Sequence, residues 1–393
     1  MMERIERRSK GRNWRKVITY FLTCCLFLNT SLPVILADAV PDMIEGEAVL
    51  QGSASFNTAG DITTITTGGA STIIEYTRFN IDDLKTVNFA QPDASSAVLN
   101  RVIEANQSLI NGDLLSNGRV FLVNPAGIIF SGDSAVYVTQ LVASGLGMTN
   151  KVFNDLIAEP DINKMEFLEG DGEVISRAKI TANSVFLIGK KVWNISSISA
   201  KDGLVVMAAG DEVRLFQDGS NVSVVVDSKG DGFVYPDIRN SGNVDVLNGK
   251  IVLAAGDTLS RAIYMASYLT AQGGTVEVQA ALVKSKGRID VSAYPADEDG
   301  DGGSISLTGV DKVIISPSVF DDPGCLAADA GVNGNGGTIT INAPGTDTVE
   351  GKVTIEKNTL ITATGGSVSG DGGSVTITCD DFEIAGEIDA SFG

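Results

Sequence analysis

The residues able to do chemistry are few and scattered. Paired acids stand at Asp82-Asp83, Asp321-Asp322 and Asp380-Asp381. Two carboxylates facing each other across a groove would suit glycosidic-bond cleavage by general acid and base. Neighbouring residues on a strand point to opposite faces, however, and the three pairs lie far apart in the chain. Surface turns explain them better. Asp297-Glu298-Asp299-Gly300-Asp301-Gly302 imitates the start of a calcium loop, with the spacing Asp-x-Asp-x-Asp-Gly. Its twelfth position is Thr308, where such a loop needs a bidentate Glu. A solvated turn is the better reading, and no metal or other cofactor is expected. There is no histidine. That removes a Ser-His-Asp triad, a Cys-His pair, a haem-binding imidazole and a mixed His/Cys zinc site. No catalytic residue is expected; a β-helical polysaccharide-degrading enzyme is the weaker alternative.

The elements that would hold any site are short strands. The chain has 393 residues with 44 glycines and 10 prolines. Apolar segments such as Thr63 to Thr67, Val120 to Val123, Val185 to Ile188, Val222 to Val226 and Gly274 to Val278 have Gly, Asn or Asp close by. The formal net charge is -20. Residues 1–16 carry seven Lys/Arg against two acids, a local +5, so the remainder stands near -25. A uniformly acidic body repels DNA, RNA and anionic lipid, which argues against nucleic acid as a partner.

The basic start is followed by an apolar run from Val17 to Leu28, too short to span a bilayer. Ala37-Asp38-Ala39 then offers small residues for cleavage after Ala37 or Ala39. Residues 1–39 read as a signal peptide, and the rest as an exported chain that is not an integral membrane protein. Cleavage removes Cys24 and Cys25. Cys325 and Cys379 remain, and sequence leaves open whether they approach within disulfide range.

The exported part repeats itself. Lys201-Asp202-Gly203-Leu204-Val205-Val206-Met207-Ala208-Ala209-Gly210-Asp211 is echoed by Asn248-Gly249-Lys250-Ile251-Val252-Leu253-Ala254-Ala255-Gly256-Asp257, offset by 46 residues at the shared Ala-Ala-Gly-Asp. A second unit, Gly-Gly followed by an alternating run, begins at Gly273, Gly302, Gly336 and Gly372, spaced 29, 34 and 36 residues. Repeats of this length mean stacked units. The expected fold is all-β, a right-handed parallel β-helix with N-terminal capping strands. Coils of an assumed ~20 residues stacked at about 4.8 Å would give on the order of 17 coils. Residues 40–150 and 151–270 are expected to form one continuing helix, with a loop or short helix leaving it near 151–172. Residues 271–393 form the Gly-rich repeats and stop inside a repeat. On spacing alone Leu99, Val102, Ile103, Leu109, Ile110, Leu114 and Leu115 suggest a helix, interrupted by Asn106, Gly112, Asn117 and Gly118.

The most distinctive stretch is Gly118 to Gly132, a strand, a turn and a strand. Asn124 can close an Asx-type turn, Pro125 presets φ, and Gly127 accepts φ > 0. Together with Val87 to Pro92 and Ser95 to Val102, it resembles the secretion (TPS) domain of filamentous haemagglutinin-type exoproteins of two-partner secretion systems. The family motif NPNGI stands here as Asn124-Pro125-Ala126-Gly127-Ile128, with Ala in place of the second Asn. A preceding N-P-S-x-I-x-G stretch stands as Asn106-Gln107-Ser108-Leu109-Ile110-Asn111-Gly112, with Gln in place of Pro. The close match covers residues 45–145.

The resemblance implies a pectin-lyase-like single-stranded solenoid, and strands rather than helix at Leu99–Leu115. It also implies export. The chain would reach the periplasm by its signal, be recognised by periplasmic domains of an outer-membrane transporter, and fold progressively outside a Gram-negative-type cell. Asn106, Ser108, Ile110, Gly112, Asn124, Pro125, Ala126, Gly127 and Ile128 are then the candidate secretion and nucleation residues. An adhesin-like role follows, towards host or environmental surface glycans or proteins. The alternative within the family is the stalk of a contact-dependent toxin or haem-scavenging exoprotein.

Overall fold

A computed structural model describes residues 44–159, 162–168, 170–200, 203–218, 221–227, 237–256, 261–293, 299–318 and 324–392. The signal-peptide reading, with Ala37 and Ala39, lies outside the described residues. From residue 44 on, the chain winds as a parallel β-helix with three ladders of strands. The first ladder runs through Ala97–Val102, Arg119–Val123, Gln140–Ser144, Ser184–Gly189, Leu204–Ala209 and Lys250–Ala255. It continues through Thr275–Ser285, Ser304–Ile315, Thr338–Ala343 and Ser374–Cys379. A second contains Ser108–Ile110, Ile128–Phe130, Val174–Ser176 and Val192–Asn194. A third contains Thr86–Ala90, Asp113–Ser116, Ala135–Tyr137 and Lys179–Thr181. With the C-terminal half of Ile62–Tyr76, which pairs with Ala97–Val102, the first ladder has eleven rungs among the described residues. The expected 17 coils were too many. Two segments leave the helix without adding a rung, and the later coils are longer than the assumed period.

The interior is apolar because each strand alternates. In the coil of Arg119–Val123, Val120 and Leu122 point inward and join the central cluster. Phe121 and Val123 point outward, yet they are fully buried as well. A second hydrophobic layer covers that face. It is built from the helix Asn150–Ala158, the strand Glu166–Phe167 and the hairpin Glu212–Asp218 with Asn221–Asp227. Sheets buried on both sides need continuous apolar runs rather than alternation. That is the physical content of Val205-Val206-Met207-Ala208-Ala209, all buried. Beyond Lys250–Ala255 the cover ends, and the strands Thr275–Ser285 and Ser304–Ile315 revert to inward-apolar alternation. The two repeat families of the sequence are therefore two burial regimes of one ladder.

The outer layer is fastened at several points. Thr149 caps the helix, its hydroxyl accepting from Val152 N at 3.2 Å. Arg101 Nη2 donates to Met148 O (2.7 Å) and Asn150 Oδ1 (2.6 Å). Gln51 and Asn154 exchange reciprocal carboxamide bonds of 2.8 and 2.9 Å. Phe153 meets Phe121 edge to face, with centroids 5.2 Å apart. The excursion anticipated near 151–172 is thus a short helix, followed by a turn of 3-10 helix at Ile162–Lys164. The hairpin at 212–227 was not anticipated, since Val222–Val226 read as another coil strand.

Glycines at the coil corners answer to close approach. A Cβ on Gly274, Gly303, Gly337 or Gly373 would press on the carbonyl of Gly249, Gly274, Gly303 or Gly337 respectively. The same carbonyls accept from the backbone N–H of Thr275, Ser304, Thr338 and Ser374 at 2.9–3.0 Å. Elsewhere polar side chains stack through the interior: Asn194 Nδ2 donates to Asn240 Oδ1, and Asn240 Nδ2 to Ser267 Oγ, each at 2.8 Å. At the N-terminal side the strand Ala48–Ala59 runs antiparallel to Ile62–Tyr76, and Ile44–Glu45 to Arg78–Phe79. These are the capping strands. Leu99–Leu115 forms strands, so the helical spacing there was misleading.

Candidate functional site

The two motif stretches singled out in the sequence occupy adjacent coils. Ser108–Ile110 and Ile128–Phe130 are parallel neighbours, pairing Ser108 with Ile128 and Ile110 with Phe130. Both Ile110 and Ile128 are fully buried in the central core. The second stretch opens on Asn124, whose side chain is also fully buried. A buried carboxamide must spend its donors and acceptor on protein. Asn124 Nδ2 donates to Asn106 O at 2.9 Å and to Ser108 Oγ at 3.0 Å. Its Oδ1 accepts from Ala126 N at 2.9 Å, which is the expected Asx turn. Its own carbonyl accepts from Gly127 N at 2.8 Å, and its N–H donates to Ser144 O on the next coil. One residue thus ties three consecutive coils together.

The rest of the turn is shaped around it. Pro125 is exposed at the tip and Ala126 half-buried. Gly127 has φ +115, and a Cβ there would stand 3.0 Å from Gln107 Nε2 and from Glu173 O. Gly127 O accepts from Ser108 N at 3.0 Å, while Ile128 N donates to Glu173 O at 2.9 Å. Gln107, the residue that departs from the family pattern, therefore lies against the turn of the next coil. Gly112 is buried, and a Cβ there would strike the carbonyls of Lys85 and Asp82. Asn106 is exposed and takes part through its carbonyl.

Several partners escaped the sequence reading. Asn80 Oδ1 accepts from Leu109 N at 2.9 Å, so the coil below also caps the first motif strand with an Asn. Gln91, buried in the stretch Val87–Pro92, exchanges 2.8 Å backbone bonds with the side chain of Asn117. Its Nε2 reaches Ser116 Oγ and Arg119 O, both at 3.0 Å. Asp93 Oδ1 accepts four bonds from Ser95 and Ser96, at 2.7 to 3.0 Å. Those serine hydroxyls hold its carboxyl below the ordinary value. Arg119 is half-buried, burial lowers its pKa, and Nη2 donates to Ser95 O. The signal for Gln91 and Asn117 was weak, because polar residues at coil corners look like solvent-facing turns.

The remaining chemical candidates are spread apart. Asp82 O accepts from Lys85 N in a surface turn. Asp380 Oδ2 accepts from Gly351 N at 2.9 Å, and Asp381 pairs with Lys352 at 2.8 Å, which holds its carboxyl below its ordinary value. Asp301 Oδ1 accepts from Asn335 N at 2.6 Å. Asp297, Glu298, Asp321 and Asp322 lie outside the described residues. Cys325 and Cys379 are both free thiols, the first buried. No helix among the described residues is long and apolar enough to cross a membrane.

This geometry has known counterparts. The family profile described as TPS secretion domain matches residues 43–392. Two heme/hemopexin-binding proteins of Haemophilus influenzae are similar in sequence. One is 33% identical over 226 residues, covering 54% of this chain and 24% of that protein. The other is 34% identical over 107 residues, covering 27% of this chain and 12% of that protein. The chain thus matches about a quarter or less of the length of these curated relatives. Among solved structures, the HMW1 secretion domain from Haemophilus influenzae superposes with a TM-score of 0.58 at 23% identity. That match covers 89% of this chain and 84% of the other, and shows a shared fold.

Proposed function

The chain belongs to the TPS secretion domain family, and from that premise we propose that it is an exported, adhesin-like exoprotein of a two-partner secretion system. Its partner is an outer-membrane β-barrel transporter whose periplasmic domains receive the chain before it folds. Its destination is the surface or surroundings of a Gram-negative-type cell, and its work there is binding rather than catalysis. The observation that supports this reading best is the lock formed by Asn124 between the two motif stretches. In an extended chain the same residues are two short, exposed Asn-containing segments, free for recognition. In the folded chain they are consumed in closing adjacent coils. Recognition and folding then compete for one set of groups, which gives export a direction. A stacked solenoid suits this, because each coil can form on the previous one.

The test is made in the native host. Deleting the transporter should leave the exported chain in the periplasm, sensitive to protease. Undiminished appearance outside the cell without the transporter would contradict the reading.

A second reading is the stalk of a haem-scavenging exoprotein, favoured by the identity to heme/hemopexin-binding proteins. With no histidine in the chain, imidazole ligation is not available to it. A haemin titration followed in the visible spectrum tests this, and an unaltered spectrum would set it aside.

A further inference from the structure

On the face formed by the third ladder, on the same coil as the Asn124 turn but on a different side of it, a shallow cleft of about 370 Å³ opens beside Tyr137. We propose that this cleft binds a neutral saccharide, with Tyr137 as the platform for the sugar ring. The proposal deepens the adhesive reading by naming a ligand class, and it rests on that reading for its biological role only.

The argument starts from the strands. Tyr137 is paired in register with Thr181, and Thr181 with Ser199, so the three side chains form one column on successive coils. Successive coils stand about 4.8 Å apart, a spacing comparable to the width of a pyranose ring. Tyr137 is 52% exposed. An exposed ring offers a flat apolar face, and its hydroxyl a polar tip. Beneath lie Val138 and Ala182, each 7% exposed, which give the cleft an apolar floor.

The polar groups around the ring are unspent. The side chains of Tyr137, Thr181, Asn183 and Ser199 line the cleft and make no hydrogen bond to the described protein. Together they present hydroxyls, each donor and acceptor, and a carboxamide with both functions. Thr139 and Ser116, by contrast, are already held by Asn117 O and Gln91 Nε2, at 3.1 and 3.0 Å, so the wall is fixed. An apolar floor with a few convergent polar groups is the usual form of a small-ligand site, and about 370 Å³ lies at the small end of the range, suited to one or two sugar rings.

Charge narrows the ligand further. Among the described residues, no charged side chain lines the cleft. The chain as a whole carries -20, and its field opposes sulfated or sialylated chains. A peptide would ask for a free strand edge or a deeper apolar pocket. Here Ala135–Tyr137 is paired on both sides.

The experiment is calorimetric titration of the secreted chain with maltose, lactose and chitobiose. At least one should bind with a Kd on the order of 1 mM. Tyr137→Ala should weaken that binding by about tenfold or more, while Tyr137→Phe keeps it within about threefold. Asn183→Ala should weaken it severalfold, and serves as the second variant if Tyr137→Ala does not fold. Absence of binding by all three sugars, or binding indifferent to both truncations, would overturn the proposal. So would preferential binding of a sulfated disaccharide or of an unstructured peptide. Secretion of Tyr137→Ala is measured in parallel. If Tyr137→Ala is not exported, Asn183→Ala supplies the binding test, and the secretion reading stands or falls with the transporter deletion alone.

Discussion

The carboxamide of Asn124 reaches from its own coil to the one below and closes on the hydroxyl of Ser108, 3.0 Å away, with both side chains buried. Replacing Asn124 by Ala leaves Ser108 Oγ and Asn106 O without a donor and Ala126 N without its acceptor. Unsatisfied buried groups cost about 1–3 kcal/mol each when a partner is removed. Asn124→Ala should therefore destabilise the folded chain by about that amount or more. Ser108→Ala removes one acceptor only and should cost less, about 0.5–1.5 kcal/mol. Denaturant unfolding of the two variants checks the order, and equal effects would contradict it.

Gly127→Ala acts through backbone strain. A side chain at φ +115 is disfavoured in itself, and the added Cβ would meet Glu173 O on the following coil at 3.0 Å. A residue forced into such a region costs on the order of 1–3 kcal/mol. The expected outcome is a lowered melting temperature with unchanged strand content by circular dichroism. A melting temperature equal to that of the wild type would show that the turn relaxes freely.

The outer layer has its own test. Phe153 is fully buried and packs edge to face on Phe121. Phe153→Ala should cost about 3–5 kcal/mol, the usual range for truncating a buried Phe. It should also raise binding of a hydrophobic dye, because the outward face of the first ladder loses its cover. Dye binding that stays at the wild-type level would mean that the helix Asn150–Ala158 does not protect the sheet.

Alkaline stability depends on Tyr76. The phenol is buried and donates to Asn100 Oδ1 at 3.1 Å. Burial, with Glu47 adding to it, pushes its pKa well above the ordinary 10.0. In the unfolded chain the phenol ionises near its ordinary value, while in the folded chain it stays neutral. The stability it contributes is complete below pH 10 or so and is lost as pH rises from there towards the folded pKa. Tyr76→Phe removes the hydrogen bond but also this alkaline loss. Its unfolding midpoint should fall less between about pH 9 and 11 than that of the wild type. Parallel pH profiles would contradict the assignment.

Much of this architecture is legible in the residues themselves. The recurring Gly-Gly units mark corners where one coil's backbone lies against the next, and Gly303 over Gly274 shows why no Cβ fits. The Asx turn at Asn124 was readable from Asn-Pro-x-Gly alone. What could not be read was that Asn124 and Ser108 touch, because strand register across a coil is set by packing and not by local spacing. The number of coils was misjudged for a related reason. The 46-residue offset between Ala208-Ala209 and Ala254-Ala255 joins direct neighbours in the ladder, since the hairpin at 212–227 intervenes. A clue was present in the uninterrupted run Val205–Ala209, which demands burial on both faces and hence a covering layer.

The most direct measurement is the partition of Asn124→Ala, Gly127→Ala double-variant protein between culture medium and periplasm in the native host, beside the wild type. The account predicts a marked fall in the secreted fraction, with the variant held in the periplasm in a protease-sensitive form. Unchanged secretion together with unchanged protease resistance outside the cell would contradict it, and would reduce these residues to ordinary corners of a coil.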